Sequence, residues 1–255
     1  MRKKLLVRLV VWGAGLWLLW LAFSRVEYHW NWRVVYQYRE LFILGFYRTI
    51  GVSVGAVCLG LVLGVSAGLA RVWPNIWLRE AAALYVELFR GTPLLVQIYI
   101  FYFCLATAIN YDNPLVIGTA ALAFFSGAYI SEMVRAGVES IDKGQWEAAM
   151  AGGLCYRQTM FWVIFPQCVK RIIPPVTGQF VSLIKDSSLL SVISVRELTK
   201  ASEVVNATTY KTFEAYLPLA LFYLLLTYPL SVWTRRLERR INPERSKPPG
   251  FVGKC

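Results

Sequence analysis

Residues 145 to 153 read Gln145-Trp146-Glu147-Ala148-Ala149-Met150-Ala151-Gly152-Gly153, and Val163, Phe165 and Pro166 follow within the same polar stretch, 137 to 171. Glu147, Ala148, Ala149, Met150 and Ala151 are helix formers and the paired glycines are a stop signal, so a short helix is predicted to end at Gly152-Gly153. Small alanines let such a helix lie close in a groove of another protein, and Glu147 offers a carboxylate to donors there. Held between two membrane helices, this peg would pass the motion of its socket on to them.

The chain on either side is far more apolar. Of 255 residues, 57 % are hydrophobic and only 16 % charged, with 10 Trp, 14 Tyr and 14 Phe. A soluble domain of this length could not bury so much apolar surface, so the class is a multi-spanning membrane protein. The net charge of +12 flanks apolar spans, which makes it a topology signal and not a nucleic-acid patch.

A hydrocarbon core of about 30 Å needs roughly 20 helical residues. Charge-free runs of that order are Thr49 to Ala70, Gly91 to Tyr111, Asn113 to Ser131 and Ala215 to Thr234, and Leu5 to Phe23 holds only Arg8. Ile172 to Ile184 is shorter and runs into Lys185 and Asp186, so it is a tilted or broken span. The expectation is an all-α, polytopic fold of about six transmembrane helices. Arg2, Lys3 and Lys4, then Arg71 and Arg79, then Arg135, Lys143, Arg157, Lys170 and Arg171, and finally Arg235, Arg236, Arg239 and Arg240 fall on one side of that arrangement. Both termini and the 137 to 171 loop are therefore predicted to be cytoplasmic. A basic start and an apolar run ending Ala22-Phe23-Ser24 also fit a signal peptide, but Trp12, Trp17 and Trp20 and the length of the run favour a retained span.

Several function classes lose their footing. The five cysteines show no CxxC or metal spacing, and His29, the one histidine, sits among Tyr28, Trp30 and Trp32 as a residue of an interfacial aromatic belt. No GxxxxGK[ST] phosphate loop occurs, so the sequence gives no sign of a nucleotide site of that type. A membrane enzyme would need clustered nucleophile, base or metal ligands, and none are seen. Gly51 and Gly55, then Gly60, Gly64 and Gly68, predict a close-packed helix face in the second span.

Glu147, Ala148, Ala149, Gly153 and Pro166 match the pattern Glu-Ala-Ala, three residues, Gly, nine residues, Ile, any residue, Leu-Pro, with Val163 for Ile and Phe165 for Leu. The segment resembles the EAA loop of ATP-binding cassette (ABC) importer permeases. Glu87-Leu88-Phe89-Arg90-Gly91-Thr92-Pro93, ending at Gln97, resembles the RGTP signature that starts a membrane helix in permeases of polar amino-acid importers. At such a start Thr92 would cap, Pro93 would take the first helical position, Gly91 would let the chain turn, and Glu87 and Arg90 stand at i, i+3 for a pair. The likeness runs over about residues 40 to 240, through Ser131-Glu132-Met133-Val134-Arg135-Ala136-Gly137 and Lys185-Asp186-Ser187-Ser188-Leu189.

The resemblance implies a bacterial inner-membrane permease: residues 1–39 an extension with one extra helix, 40–236 the permease domain, 237–255 a basic cytoplasmic tail. It implies no cofactor on this chain and ATP with Mg2+ on a partner ABC ATPase dimer. A second permease subunit, an extracytoplasmic solute-binding protein and an amino-acid substrate would complete the system. Polar residues at membrane depth are candidates for the substrate path: Ser126, Tyr129 and Glu132 on one span, Lys185, Asp186, Ser187 and Ser188 at the end of the next. Lys185 and Asp186 could hold a zwitterion or simply pair with neighbours, and Glu132 could simply bridge Arg135. The rival reading is an ion-gradient-driven secondary transporter, which should show paired repeats.

Overall fold

The computed structural model describes residues 2–24 and 27–241, and every regular element among them is helical. α1 (Arg2–Ser24) leads to the short α2 (Arg33–Gln37) and to α3 (Arg39–Arg71), 33 residues long. α4 (Ile76–Gly91) meets α5 (Leu94–Tyr99, prolonged by a π-helical segment Ile100–Ala106) at a bend of 108°. α6 (Pro114–Glu139) is followed by α7 (Lys143–Ala151) and α8 (Tyr156–Gln158). A second π-helical segment (Thr159–Ile164) joins α8 to α9 (Phe165–Asp186), which winds into a 3-10 segment (Ser187–Ile193). α10 (Leu198–Thr209) and α11 (Thr212–Ile241) complete the described chain, and the tail beyond Ile241 lies outside the described residues.

α3, α6 and α11 are each long and apolar enough to cross a bilayer, and the bent pair α4–α5 adds a fourth such unit among the described residues. α1 and α9 have the length, at 23 and 22 residues. The helix that carries the run Ile172 to Ile184 is continuous and longer than that run, but it is not among the helices both long and apolar enough to cross. Pro174 and Pro175 sit inside α9 without interrupting it, and Lys170, Arg171 and Lys185, at its two ends, had masked its extent. The run expected from Gly91 begins instead at Leu94, after the bend.

The centre of the bundle is α3 packed on α6. A Cβ at Gly60 would lie 2.2 Å from the Ser126 Oγ, at Gly64 2.6 Å from the Ile130 Cβ, and at Gly68 2.6 Å from the Val134 Cβ. Only glycine lets these backbones approach so closely, and in lipid that approach gains the dispersion contacts which hold helices together. The expected face is therefore shorter than predicted: Gly51 is exposed with nothing near it, and Gly55 only touches Thr119.

The stretch ahead of the bundle is pinned down. Glu214, fully buried in the first turn of α11, accepts from the Tyr28 hydroxyl and from the Asn31 N–H, while Lys211 Nζ donates to the His29 carbonyl at 2.7 Å. Trp30 and Trp32 stack at 5.6 Å on the outside of this clip.

Candidate functional site

α7 is built as a free-standing peg. Asp142 caps its start, Oδ1 accepting from Gly144 N–H at 2.7 Å. At its end the Gly153 N–H donates to the Met150 carbonyl (3.0 Å) and the Leu154 N–H to the Ala149 carbonyl (3.2 Å), the paired bonds of a Schellman stop. That geometry needs a left-handed residue two places after the last helical one, and Gly153 supplies it with φ +86°. The distance from Ala149 to Gly153 is therefore the distance from the first capped carbonyl to the left-handed stop. No residue of α7 is buried, and Glu147, Ala148 and Met150 are exposed.

The peg is braced from behind. Tyr156 stacks on Trp146 (5.5 Å between centroids), meets Trp73 edge-on (5.9 Å), and donates its hydroxyl to the Val72 carbonyl at the end of α3 (2.6 Å). Burial pushes the Tyr156 phenol above its ordinary pKa, so it stays a donor at neutral pH. Gln167 on α9 donates to Gln145 on α7 at 3.2 Å, and Arg171 donates to the carbonyl and hydroxyl of Ser140. Val163 and Phe165 pack against the buried group of Ile130, Val134, Ile164 and Cys168, so both remain apolar contacts, and Pro166 lies exposed in the first turn of α9, where a missing N–H costs nothing. α7 is thus joined to α3 and α9 through side chains, with its outer face unoccupied.

Glu132 organises a second cluster. Its carboxylate receives Arg71 from α3, Arg135 from its own helix and Arg90 Nη1 from the end of α4 (3.3 Å), and Arg135 also reaches Glu139. Arg90 lies over the Tyr129 ring at 5.3 Å. Arg90 therefore pairs with Glu132 and not with Glu87, which is exposed and takes part in no ion pair among the described residues. Arg71, read in the sequence only as a topology charge, is a full member of this hub.

The expected start signature works differently from its prediction. Thr92 and Pro93 are both extended, and their two residues, not Gly91, make the 108° bend. Thr92 Oγ1 donates back to the Leu88 carbonyl (2.8 Å) and does not cap α5; Pro93 stands one place ahead of the first helical residue. The carbonyls left open at the break are met by Gln97 Nε2, which donates to Phe89 O (2.7 Å) and Thr92 O (3.0 Å).

The path candidates are not brought together. Ser126 is sealed against Gly60 and bonded to the Ala123 carbonyl (3.2 Å), and Ser187 is buried and bonded to Ile184 O (2.7 Å). Lys185 is exposed, and Asp186 and Ser188 are half-buried. Leu190 packs on Gly118 near the start of α6, whereas Glu132 lies about 20 Å further along that helix by its 1.5 Å rise.

The chain belongs to the family described as "Binding-protein-dependent transport system inner membrane component", matched over residues 60–243. It is 39 % identical over 215 residues to the probable glutamine ABC transporter permease protein GlnM of Bacillus subtilis (strain 168), covering 83 % of this chain and 98 % of that one. The glutamine transport system permease protein GlnP of Escherichia coli (strain K12) is 37 % identical over 214 residues, with the same shares covered. A crystal structure of an amino acid ABC transporter with histidines superposes with a TM-score of 0.77 at 32 % identity, over 84 % of this chain and all of that one. The inward-facing MetNI methionine transporter, at 17 % identity over 79 % of this chain and 96 % of that one, has a TM-score of 0.69 and shares the fold. The chain is accordingly a permease component of an ABC importer, which displaces the ion-gradient reading.

Proposed function

We propose that this chain forms half of a translocation pore for a polar amino acid and couples it, through α7, to a separate ATPase. The observation that carries this reading is the unburied face of Glu147, Ala148 and Met150 on a helix whose opposite side is tied to α3 and α9. A partner that moved α7 would move both membrane helices with it. ATP and Mg2+ belong to that partner, and this chain is not itself an enzyme.

Glutamine is the first substrate to test, because curated relatives at 37–39 % identity are named for it. A solute-binding protein would deliver it, and a second permease subunit would complete the pore. The basic ends of α3, α7 and α11 favour a cytoplasmic placement of both termini and of α7. Residues 40–236 would act as the permease unit, with 1–39 an added helix and 237–255 a basic tail. Of the path candidates, exposed Lys185 and half-buried Asp186 are adjacent and opposite in charge, one for a carboxylate and one for an ammonium, whereas Glu132 is already held by three arginines. The test is uptake of labelled glutamine by proteoliposomes holding the permease, its ATPase and its binding protein. Uptake that needs ATP and falls in Asp186→Ala supports the reading; uptake driven by an ion gradient without ATP overturns it.

A further inference from the structure

At 100° per residue, Arg235, Arg236, Arg239 and Arg240 occupy one arc of about 140° at the end of α11. All four are exposed and none forms an ion pair or hydrogen bond among the described residues. Leu237 and Ile241, half-buried, lie on the other side of the helix. The same arc continues along the helix as Leu221, Leu224, Leu225 and Tyr228, all exposed, which with Pro229 line a shallow apolar groove of about 270 Å³. Trp233, 55 % exposed, stands between groove and arginines, and a ring of this kind favours a membrane–water interface. From Leu221 to Tyr228 the groove is about 10 Å long, and the arginines begin about 10 Å further on by helical rise.

We propose that this face of α11 is a binding site for an anionic diacyl phospholipid, one acyl chain in the 221–229 groove and the phosphate headgroup among the four arginines. The groove alone would accept any lipid, and the arginines alone any anion. Their alignment on one face, at the spacing of an acyl chain and its headgroup, selects a lipid that carries net negative charge. The partly negative carbonyl end of α11 favours arginines in its last turn, and the phosphate would be bound by the arginine side chains and not by the helix end. The free guanidinium forks suit bidentate phosphate contact.

The experiment is native mass spectrometry of the full importer released from bilayers of equal phosphatidylglycerol and phosphatidylcholine. The wild type should retain phosphatidylglycerol, and Arg235→Gln/Arg236→Gln/Arg239→Gln/Arg240→Gln should lose that retention by at least about tenfold. The four-fold lysine variant should keep part of it. Leu225→Trp, which fills the groove and leaves every arginine in place, should also reduce it, separating a seated lipid from a headgroup held by charge alone. Each variant is first checked for unchanged size-exclusion behaviour. Equal retention of the two lipids by the wild type, or undiminished phosphatidylglycerol retention in the glutamine variant, overturns the proposal. So does carriage of the arginine face by the ATPase, seen as loss of the partner subunit in place of the lipid.

Discussion

The Tyr156 hydroxyl donates to the Val72 carbonyl at 2.6 Å, joining the loop that follows α7 to the end of α3. The bond closes a triangle in which Trp146 on α7 stacks on Tyr156 and Trp73 meets it edge-on. Removing the hydroxyl costs about 1 kcal/mol and keeps the ring stacking. Tyr156→Phe is expected to express and assemble normally while moving less substrate per ATP hydrolysed. Parallel ATPase and uptake assays check this; an unchanged ratio means the bond is structural only.

Gly64 and Gly68 permit no side chain against α6. A methyl at either would come within 2.6 Å of a branched Cβ and 2.7–2.8 Å of a backbone carbonyl. Gly64→Ala or Gly68→Ala is expected to destabilise by about 1–3 kcal/mol, whereas Gly51→Ala, with open space around it, should be neutral or slightly stabilising. Thermal unfolding in detergent separates the two groups, and equal midpoints would contradict this packing.

Removing the acid at the hub leaves Arg71, Arg90 and Arg135 facing one another. Glu132 is 25 % exposed, so solvent softens the loss to about 1–2 kcal/mol for Glu132→Ala. The Arg79–Glu80 pair, at 3.3 Å with side chains 50 % and 65 % exposed, is the control: Arg79→Ala should change stability by less than about 0.5 kcal/mol. Transport should fall more than stability in Glu132→Ala, because α3, α4 and α6 lose a shared anchor.

Glu197 makes stability depend on pH. It is fully buried at the start of α10, where burial lifts its pKa to about 7 against the pull of the Thr199 and Lys200 N–H groups and the Tyr223 and Thr199 hydroxyls. A carboxyl whose folded pKa is raised keeps its proton longer in the folded state. Its contribution is therefore greatest below the unfolded value and declines as pH rises from about 4.5 through about 7, by at most about 3 kcal/mol. Glu197→Gln should flatten the melting temperature across that range. Parallel pH profiles for variant and wild type would sink the assignment.

Much of this was legible in the sequence, for reasons that differ by element. Gly153 could be read because a Schellman stop has fixed spacing, and Gly60, Gly64 and Gly68 because their repeat matches the helical period. α9 was underread because charges at its ends and Pro174-Pro175 truncate any charge-free window, although a helix among packed neighbours tolerates them. α4 escaped notice because Arg79, Glu80, Glu87 and Arg90 remove it from a search for apolar runs. Of the Glu132 hub only the bridge to Arg135 could be read, from its i, i+3 spacing: Arg71 lies 61 residues away, and only the fold brings it within reach.

The most direct test of the account uses single cysteines, in a background lacking Cys58, Cys104, Cys155, Cys168 and Cys255, at Met150 on α7 and at Trp77 on α4, which is 82 % exposed. Short bifunctional reagents applied to the assembled importer should join Met150→Cys to the ATPase subunit, in a manner altered by ATP, and should leave Trp77→Cys unjoined. Absence of any cross-link from Met150→Cys, or its labelling by an impermeant reagent from outside the cell, would contradict the claim that α7 is the helix on which the ATPase acts.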